Sequence, residues 1–307
     1  MQKIILFYIF TPVQDPEAIM LWQRSLAQGL NLRGRVIISK DGINATLGGD
    51  NNDLKSYIKE TKEYPPFKSI VFKWSEGVRE DFPRLSVKVR PELVAFNIAD
   101  QLKVTPKGIT GGGKRVKPEK LHDMVSKKGK QLVFVDGRNA REAAIGRFKD
   151  ALVFDVNHTR DFTKEISKTK YRNLKDKTLV TYCTGGIRCE VLSKLMIDAG
   201  YADVYQLDGG IVSYLDKYGD DGLWEGSLYV FDRRLKIRAS DHTKTIGQCS
   251  LCGGATDNYV NCANKSCNEL ILACSKCIER TDVCASCLQV RKRLIADDQL
   301  SPANKVQ

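Results

Sequence analysis

Eight cysteines fall between Cys249 and Cys287, and this clustering constrains the fold more than any other feature of the sequence. They form four closely spaced pairs, namely Cys249 with Cys252, Cys262 with Cys267, Cys274 with Cys277, and Cys284 with Cys287. Four such pairs can supply two tetrahedral sites with four thiolates each, and we predict two structural zinc ions. Because little apolar sequence separates the pairs, metal binding would provide much of this segment's folding energy.

Disulfides and an iron–sulfur cluster are the alternatives for these cysteines. Disulfide frameworks are typical of small secreted chains, whereas this chain has 307 residues. Its apolar run at residues 4–10 is short, rich in aromatic and β-branched side chains, and followed by Thr11-Pro12 without a small-residue cleavage site. That run therefore predicts a first strand rather than a secretion signal. The spacing does not determine which pairs share a metal ion. Neighbouring pairs (a sequential grouping) and alternate pairs (an interleaved grouping) both stay open.

The remaining sequence divides into two folded segments and a linker. Strand and helix patterns in residues 1–97 follow the order β-α-β-β-α-β, which is typical of ferredoxin-like (acylphosphatase-like) α+β sandwiches. Residues 98–118 are rich in glycine and proline and predict a linker. Residues 119–225 alternate apolar strands with helices, which predicts an α/β domain with a parallel sheet covered on both faces. The cysteine-rich segment then spans residues 240–307.

Charge and the absence of other motifs narrow the classes of partner. The formal net charge is +12, and residues 111–220 are the most basic part, with 21 basic and 15 acidic side chains. This excess favours a polyanionic partner such as RNA, although solubility explains it equally well. No run approaches the roughly 18 apolar residues of a membrane span. Walker and Rossmann glycine motifs are absent, which argues against NTP or dinucleotide binding.

A candidate active site lies where the buried strand at residues 178–182 ends. The strand leads into Cys183 and then into a short loop made of Thr184, Gly185, Gly186, Ile187 and Arg188. Ligand sites of open α/β sheets lie at this carboxyl edge. The two glycines allow successive N–H groups to point inward at a helix N-terminus, so we predict a Cys183 thiolate with a lowered pKa. Arg188 would pair with an acidic neighbour or with a bound anion.

The size of the loop separates two kinds of chemistry. Four residues stand between Cys183 and Arg188, one fewer than in tyrosine-phosphatase loops, so the ring suits a thiolate or a sulfur carried on it better than a phosphate. This spacing resembles a rhodanese, as do Asp136-Gly137-Arg138 after the first strand of the segment and the glycine pair at 209–210. Asp136 and Arg138 would either hold loops together or touch substrate. A buried structural cysteine is the alternative for Cys183.

Cys189 is a second thiol, in the first helical turn after the loop. The helix N-terminus is expected to lower its pKa as well. It would either resolve a persulfide or sulfenate formed on Cys183, or simply pack in the core.

Along nearly its full length the sequence resembles the rhodanese-domain tRNA uridine-34 hydroxylases. The matching motifs are Cys183-Thr-Gly-Gly-Ile-Arg-Cys-Glu190, Gly34-Arg-Val-Ile-Ile-Ser39, Asp41-Gly-Ile-Asn-Ala-Thr46, Val87-Lys-Val-Arg90, Val230-Phe-Asp-Arg-Arg234 and the cysteine block. The resemblance implies an oxidoreductase that hydroxylates C5 of the wobble uridine of tRNA, with molecular oxygen as co-substrate and the rhodanese cysteine required. It also implies a cytoplasmic protein whose N-terminal domain helps to hold tRNA.

Two other classes of function stay open. A sulfurtransferase would carry a persulfide on Cys183 and pass the sulfur to cyanide, a thiol or a tRNA base. A zinc-stabilised RNA-binding protein would keep the rhodanese domain only as a relic, and the intact Cys183 and Arg188 argue against that reading.

Overall fold

A computed structural model describes residues 1–291, which include all ten cysteines. The predicted cysteine-rich segment reaches residue 307, and its residues 292–307 lie outside the described residues. Within the described chain, no helix combines the length and the apolar character that crossing a membrane requires.

The N-terminal domain is a sheet with two helices on one face. Its elements are β1 (Gln2–Phe10), α1 (Pro16–Gly29), β2 (Arg33–Ser39), β3 (Gly42–Asp50), α2 (Asn51–Glu63), β4 (Lys73–Ser75) and β5 (Leu85–Val89). The strand order is β4-β1-β3-β2-β5, with the first four antiparallel and β5 parallel to β2. The first four strands have the predicted ferredoxin-like arrangement, to which β5 adds an edge.

The two faces of this sheet have different neighbours because successive side chains of a strand point to opposite sides. Ile5 and Phe7 of β1 pack into the core beneath α1 and α2. Tyr8 and Phe10 belong instead to a cluster that includes residues of the second domain, such as Val191. The sheet face without helices therefore forms the contact between the domains.

Residues 98–118, predicted as a linker, contain regular structure. β6 (Val104–Thr105) and β7 (Gly108–Ile109) form a short hairpin, and β8 (Lys114–Val116) is the edge strand of the second sheet. Glycine and proline mark turns in the sequence, but short edge strands form through pairing with distant partners, which local composition does not report.

The second domain has a five-stranded parallel sheet. After β8 its elements are α3 (Pro118–Lys128), β9 (Leu132–Asp136), α4 (Ala140–Ala144), β10 (Gly146–Phe148), β11 (Leu152–Val153), α5 (Phe162–Glu165), β12 (Thr178–Tyr182), α6 (Ile187–Asp198), β13 (Asp203–Leu207), α7 (Gly210–Tyr218) and β14 (Trp224–Gly226). The strand order is β11-β9-β12-β13-β8, and every pairing is parallel, which confirms the predicted sheet. All five residues of the central strand β12 are buried.

The C-terminal segment contains little regular structure. Its elements are β15 (Leu228–Tyr229), β16 (Lys236–Ile237), β17 (Tyr259–Asn261), β18 (Leu270–Leu272) and α8 (Ser275–Ile278). The cysteine pairs lie before, within and after the β17–β18 hairpin, and the apolar clusters of this part are small.

Candidate active site

Cys183 follows β12 directly, at the carboxyl edge of the sheet, and only 1% of it is exposed. The Gly186 amide donates a hydrogen bond to Cys183 Sγ at 3.2 Å. Gly186 has a φ of +101°, a conformation that favours glycine, and this turns its N–H toward the sulfur. From the other side, the Ile211 amide donates to the Cys183 carbonyl at 2.9 Å. The loop therefore closes around the sulfur with backbone donors.

The surroundings of Cys183 favour its thiolate. Burial by itself would raise the pKa of the thiol, but a hydrogen bond from the Cys189 thiol and the positive charge of Arg188 act in the opposite direction. The amides of Cys189 and Gly186 add to this effect, and together these groups lower the pKa of Cys183 to about 6. A cysteine that only fills a core would have a raised pKa instead.

The prediction of a lowered pKa for Cys189 is wrong. Cys189 is fully buried, and burial together with the adjacent Cys183 thiolate raises the pKa of this second thiol well above its usual value. The helix N-terminus cannot offset both effects. Cys189 therefore keeps its proton and donates it in a hydrogen bond to Cys183.

Arg188 is held by an acidic side chain, which was one of its two predicted partners. Its guanidinium donates two hydrogen bonds to the Glu142 carboxylate, at 2.6 and 2.7 Å. Glu142 is itself fixed in a capping box at the start of α4, where its amide donates to Asn139 Oδ1 at 2.9 Å. Arg188 also donates to Thr184 Oγ1 at 3.4 Å, while Ile187 packs against the core. This pairing ties the loop to α4.

Asp136 and Arg138 form a fully buried ion pair beside the loop. Arg138 Nε donates to Asp136 Oδ1 at 2.9 Å, and Arg138 Nη2 donates to the Gly146 carbonyl at 2.6 Å. Tyr182 Oη donates to Asp136 Oδ2 at 2.8 Å. These contacts join β9, β10 and β12 and hold the strand ends together beside the loop.

The N-terminal domain contributes side chains directly to the thiol loop. Lys73 of β4 donates to the carbonyl of Gly185, and a Cβ at Gly185 would lie 2.6 Å from Leu6 Cδ2. The Lys73 ammonium is 5.2 Å from the centre of the Tyr8 ring. Burial lowers the pKa of Lys73 to about 8, although the nearby Cys183 thiolate opposes that shift. An ammonium from one domain thus lies beside the thiolate of another.

Glu190 connects the same two domains through a polar network. Tyr8 Oη donates to Glu190 Oε1 at 3.1 Å, and Gln206 Nε2 donates to Glu190 Oε2 at 3.2 Å. Arg115 donates to Glu190 and also to Asp208 Oδ1, at 3.3 Å. The network fixes the start of α6, and therefore one side of the loop, to β1.

The eight C-terminal cysteines form two clusters of four sulfur atoms. One cluster contains Cys249, Cys252, Cys274 and Cys277, and the other contains Cys262, Cys267, Cys284 and Cys287. The sulfurs of each cluster lie within 4.8 Å of one another. The grouping is therefore interleaved, with the first cysteine pair beside the third and the second beside the fourth.

The spacing and the backbone donors of these clusters fit a metal ion. The sulfurs of Cys252 and Cys274 are 3.7 Å apart, far beyond a disulfide bond and close to the edge of about 3.8 Å that a tetrahedron with 2.3 Å metal–sulfur bonds has. The Cys274 amide donates to Cys249 Sγ at 3.4 Å. Burial would raise the pKa of Cys249, but such backbone donors lower it to about 6, which favours a thiolate ligand.

Three family models match successive parts of the chain. The model described as "UPF0176 acylphosphatase like domain" matches residues 2–93, the rhodanese-like domain model matches 117–217, and the model described as "Rhodanase C-terminal" matches 225–289. The tRNA uridine(34) hydroxylase of Corynebacterium kroppenstedtii is 56% identical over 289 residues, which cover 94% of this chain and 98% of that protein. The chain belongs to the tRNA uridine(34) hydroxylase family.

A second curated relative agrees with this assignment. The tRNA uridine(34) hydroxylase of Rhodococcus jostii is also 56% identical, over 277 residues that cover 90% of this chain and 97% of that protein. Among solved structures, a rhodanese-like domain from Anabaena is similar, at 16% identity and a TM-score of 0.31, over 36% of this chain and 78% of that one.

In this member of the tRNA uridine(34) hydroxylase family, sequence reasoning located the loop but missed its partners from elsewhere. Lys73 and Tyr8 were not singled out, and the predicted acidic partner of Arg188 was not identified as Glu142. The sequence contains only a weak indication of a role for Lys73, because a lysine between Phe72 and Trp74 is also typical of an ordinary strand. Only the docking of two domains gives these side chains their place beside the sulfur.

Proposed function

We propose that this chain hydroxylates C5 of uridine 34 in tRNA and that the Cys183 thiolate is its nucleophile. The observation that carries the proposal is a sulfur at the carboxyl edge of the sheet that the Cys189 thiol, the Arg188 charge and the Gly186 amide favour as a thiolate. Its support from comparison is the 56% identity to a tRNA uridine(34) hydroxylase over nearly the whole of both chains.

The proposed chemistry uses the match between a soft nucleophile and a soft electrophile. Addition of Cys183 Sγ to C6 of the uracil makes C5 electron-rich, so that C5 can take an oxygen atom. Loss of the C5 proton and breakage of the C6–S bond then restore the ring and release the thiolate. With molecular oxygen as co-substrate, one oxygen atom enters the base and the other becomes water, which consumes two electrons and two protons from a reductant.

Negative charge that develops on O4 of the uracil needs a donor in the site. The loop amides and Arg188 are the candidates. Because Glu142 already accepts two hydrogen bonds from Arg188, we assign this role to the amides. The Lys73 ammonium lies against the loop that holds the Cys183 sulfur, and it adds positive electrostatic potential at this site.

Access to the sulfur requires motion at the contact between the domains. Leu6, Tyr8 and Lys73 cover the loop, and Cys183 is only 1% exposed in this arrangement. A uracil must also leave its stack to reach a buried thiol, which costs little in a flexible anticodon loop. We infer that tRNA binding separates β1 and β4, which carry these side chains, from the loop.

We further propose that both four-cysteine clusters bind zinc as structural ions. Four thiolates saturate a tetrahedral ion and leave no position for a substrate. Support comes from the 3.7 Å distance between Cys252 and Cys274 sulfurs, and from the equal distance between those of Cys267 and Cys284.

The decisive experiment is nucleoside mass spectrometry of tRNA from cells that lack this protein. We expect derivatives of 5-hydroxyuridine to be absent, to return with the wild-type chain and with Cys189→Ser, and to stay absent with Cys183→Ser. Hydroxylation by Cys183→Ser would overturn the covalent route.

The same samples separate the other functions. Loss of thiolated nucleosides, with transfer of labelled sulfur from thiosulfate, would point to a sulfurtransferase instead. An unchanged nucleoside profile despite tRNA binding would leave a zinc-stabilised RNA-binding protein.

A further inference from the structure

The N-terminal domain has an open groove, lined by both apolar and basic side chains, that the proposed chemistry does not use. The groove has a volume of about 450 Å³ and lies between α2 and the edge strand β4. Ile58 and Phe72 contribute to its lining, together with Val71 and Trp74. It lies on the helix-covered side of the sheet, because Trp74 pairs with Ile5, whose side chain belongs to the core beneath the helices.

Two side chains of this groove are unusually exposed for their type. Val71 is 70% exposed and Trp74 is 40% exposed, and both side chains line the groove. Exposed apolar side chains that line a single groove are typical of surfaces that bind a ligand or partner. An exposed indole in particular offers a flat face on which another ring can stack.

The charges around the groove favour an anionic occupant. Lys55 and Lys62 line it together with Ile58, at positions of α2 that lie on one helix face, and none of the acidic side chains in residues 1–291 lines it. Aromatic rings next to lysines are the usual means by which proteins bind single-stranded nucleic acid, with bases stacked on the rings and phosphates near the cations. A peptide or a second protein chain would bind the apolar residues and would not require both lysines. The two lysines therefore favour a nucleic acid as the occupant.

The groove is adjacent to the thiol loop. Trp74 follows Lys73 in β4, and the two side chains point to opposite faces of the same edge strand. Lys73 touches the loop through the Gly185 carbonyl, whereas Trp74 opens into the groove. A nucleic acid strand that leaves the loop can therefore reach the groove by passing around a single strand of the sheet.

We propose that this groove binds a second nucleotide of the tRNA substrate, with its base stacked on Trp74 and its phosphates near Lys55 and Lys62. The inference rests on the proposed function for its choice of RNA. It adds a subsite on the N-terminal domain that holds the anticodon strand while uridine 34 is at Cys183. The subsite contributes to tRNA affinity and not to the chemical step.

The test measures tRNA binding by full-length Cys183→Ser protein, which makes binding independent of turnover. Stacking on an aromatic ring is typically worth a factor of about ten or more in affinity. We therefore expect Trp74→Ala to raise the Kd for tRNA about tenfold and Trp74→Phe to stay close to the parent. Quenching of tryptophan fluorescence by an anticodon stem-loop should disappear in Trp74→Phe.

A matched pair of lysine variants tests the charge part. Lys62→Gln should lower the slope of log Kd against log salt by about 0.7, the value for one contact with a single strand. Lys59→Gln is the control, because Lys59 is exposed on the same helix but does not line the groove, and its slope should not change.

The outcomes separate the subsite from the proposed function. An unchanged Kd in Trp74→Ala that is folded, as judged by circular dichroism, would overturn the subsite, as would a change only in self-association or in binding to a protein. If the wild-type chain makes no 5-hydroxyuridine but Trp74→Ala still weakens tRNA binding tenfold, the hydroxylase proposal fails while the subsite stands.

Discussion

The sulfur of Cys183 experiences two opposing effects at the scale of single residues. Burial disfavours the thiolate, whereas the Cys189 thiol, the charge of Arg188 and nearby amides favour it, and the second group of effects prevails. With a pKa of about 6, the thiolate outnumbers the thiol by about ten to one at pH 7. Cys189 contributes as a hydrogen-bond donor because its own pKa is raised.

This balance predicts the pH dependence of alkylation of Cys183. The thiol form reacts slowly, so the rate of iodoacetamide modification should rise with pH around a midpoint near 6. Cys189→Ala removes a donor to the thiolate and should move the midpoint upward, while Cys189→Ser retains a donor and should move it less. Peptide mass spectrometry separates Cys183 from the C-terminal cysteines. A wild-type midpoint near that of an ordinary thiol, about 8.5, would contradict this account.

At the scale of elements, the start of α7 supports the loop from the other side. The amides of Ile211 and Val212 donate to the carbonyls of Cys183 and Thr184, at 2.9 and 3.0 Å. Such a close approach is possible because Gly210 has no side chain and adopts a φ of +67°. A Cβ there would lie 2.5 Å from the Cys183 carbonyl oxygen.

We therefore predict that Gly210→Ala lowers the free energy of unfolding by about 2 kcal/mol or more, through backbone strain and this clash. Gly219→Ala is the matched control at the other end of α7. Gly219 also has a positive φ, +51°, but a Cβ there meets no atom within 4 Å, so only the backbone strain applies. Denaturant unfolding of both variants measures the difference, and equal losses of stability would argue against the close packing.

The edge strand β4 gives a second prediction at this scale. The ammonium of Lys73 and the thiolate of Cys183 stabilise each other's charged forms, so Lys73→Met should move the alkylation midpoint of Cys183 to higher pH. Lys3→Met is the control, since Lys3 pairs with Glu76 at the surface. A midpoint that is the same in both variants would show that the Lys73 charge does not reach the sulfur.

At the scale of the whole molecule, the thiol loop is supported by both neighbouring parts of the chain. Phe10 and Phe96 share one apolar cluster with Val191 of α6. From the C-terminal side, Tyr259 Oη donates to the Arg141 carbonyl at 2.5 Å, next to the residue that holds Arg188. The position of the loop therefore depends on all three parts.

Zinc content tests the organisation of the C-terminal segment. The wild-type chain should contain two zinc ions, and Cys252→Ser with Cys274→Ser should remove one, because both residues belong to one cluster. If the pairs were grouped sequentially, these two cysteines would belong to different clusters, and the double variant would lose both ions. Elemental analysis of the purified protein decides between the two. Chelation should also lower the thermal midpoint, because a bound metal would contribute to the folding of this segment.

Much of the fold and part of the site were predictable from local sequence. The ferredoxin-like order, the parallel sheet and the positions of the cysteine pairs were expected, and the structure agrees with them. The strands between 98 and 118 were not expected. β8 forms through pairing with the distant β13, which local sequence does not report. β6 and β7 have only two residues each, too few to show a strand pattern. The pKa of Cys189 was predicted in the wrong direction, because burial and an adjacent thiolate are not visible in the sequence.

The sequence by itself determined the strand, the glycine turn and the helix that surround Cys183, because backbone donors within a few residues of a thiol follow from local conformation. Only the tertiary structure decided that Lys73 and Tyr8 lie over the loop, that Glu142 holds Arg188, and that the cysteine pairs interleave. These contacts join groups far apart in the chain, and electrostatic and packing energies depend on distance through space rather than along the sequence.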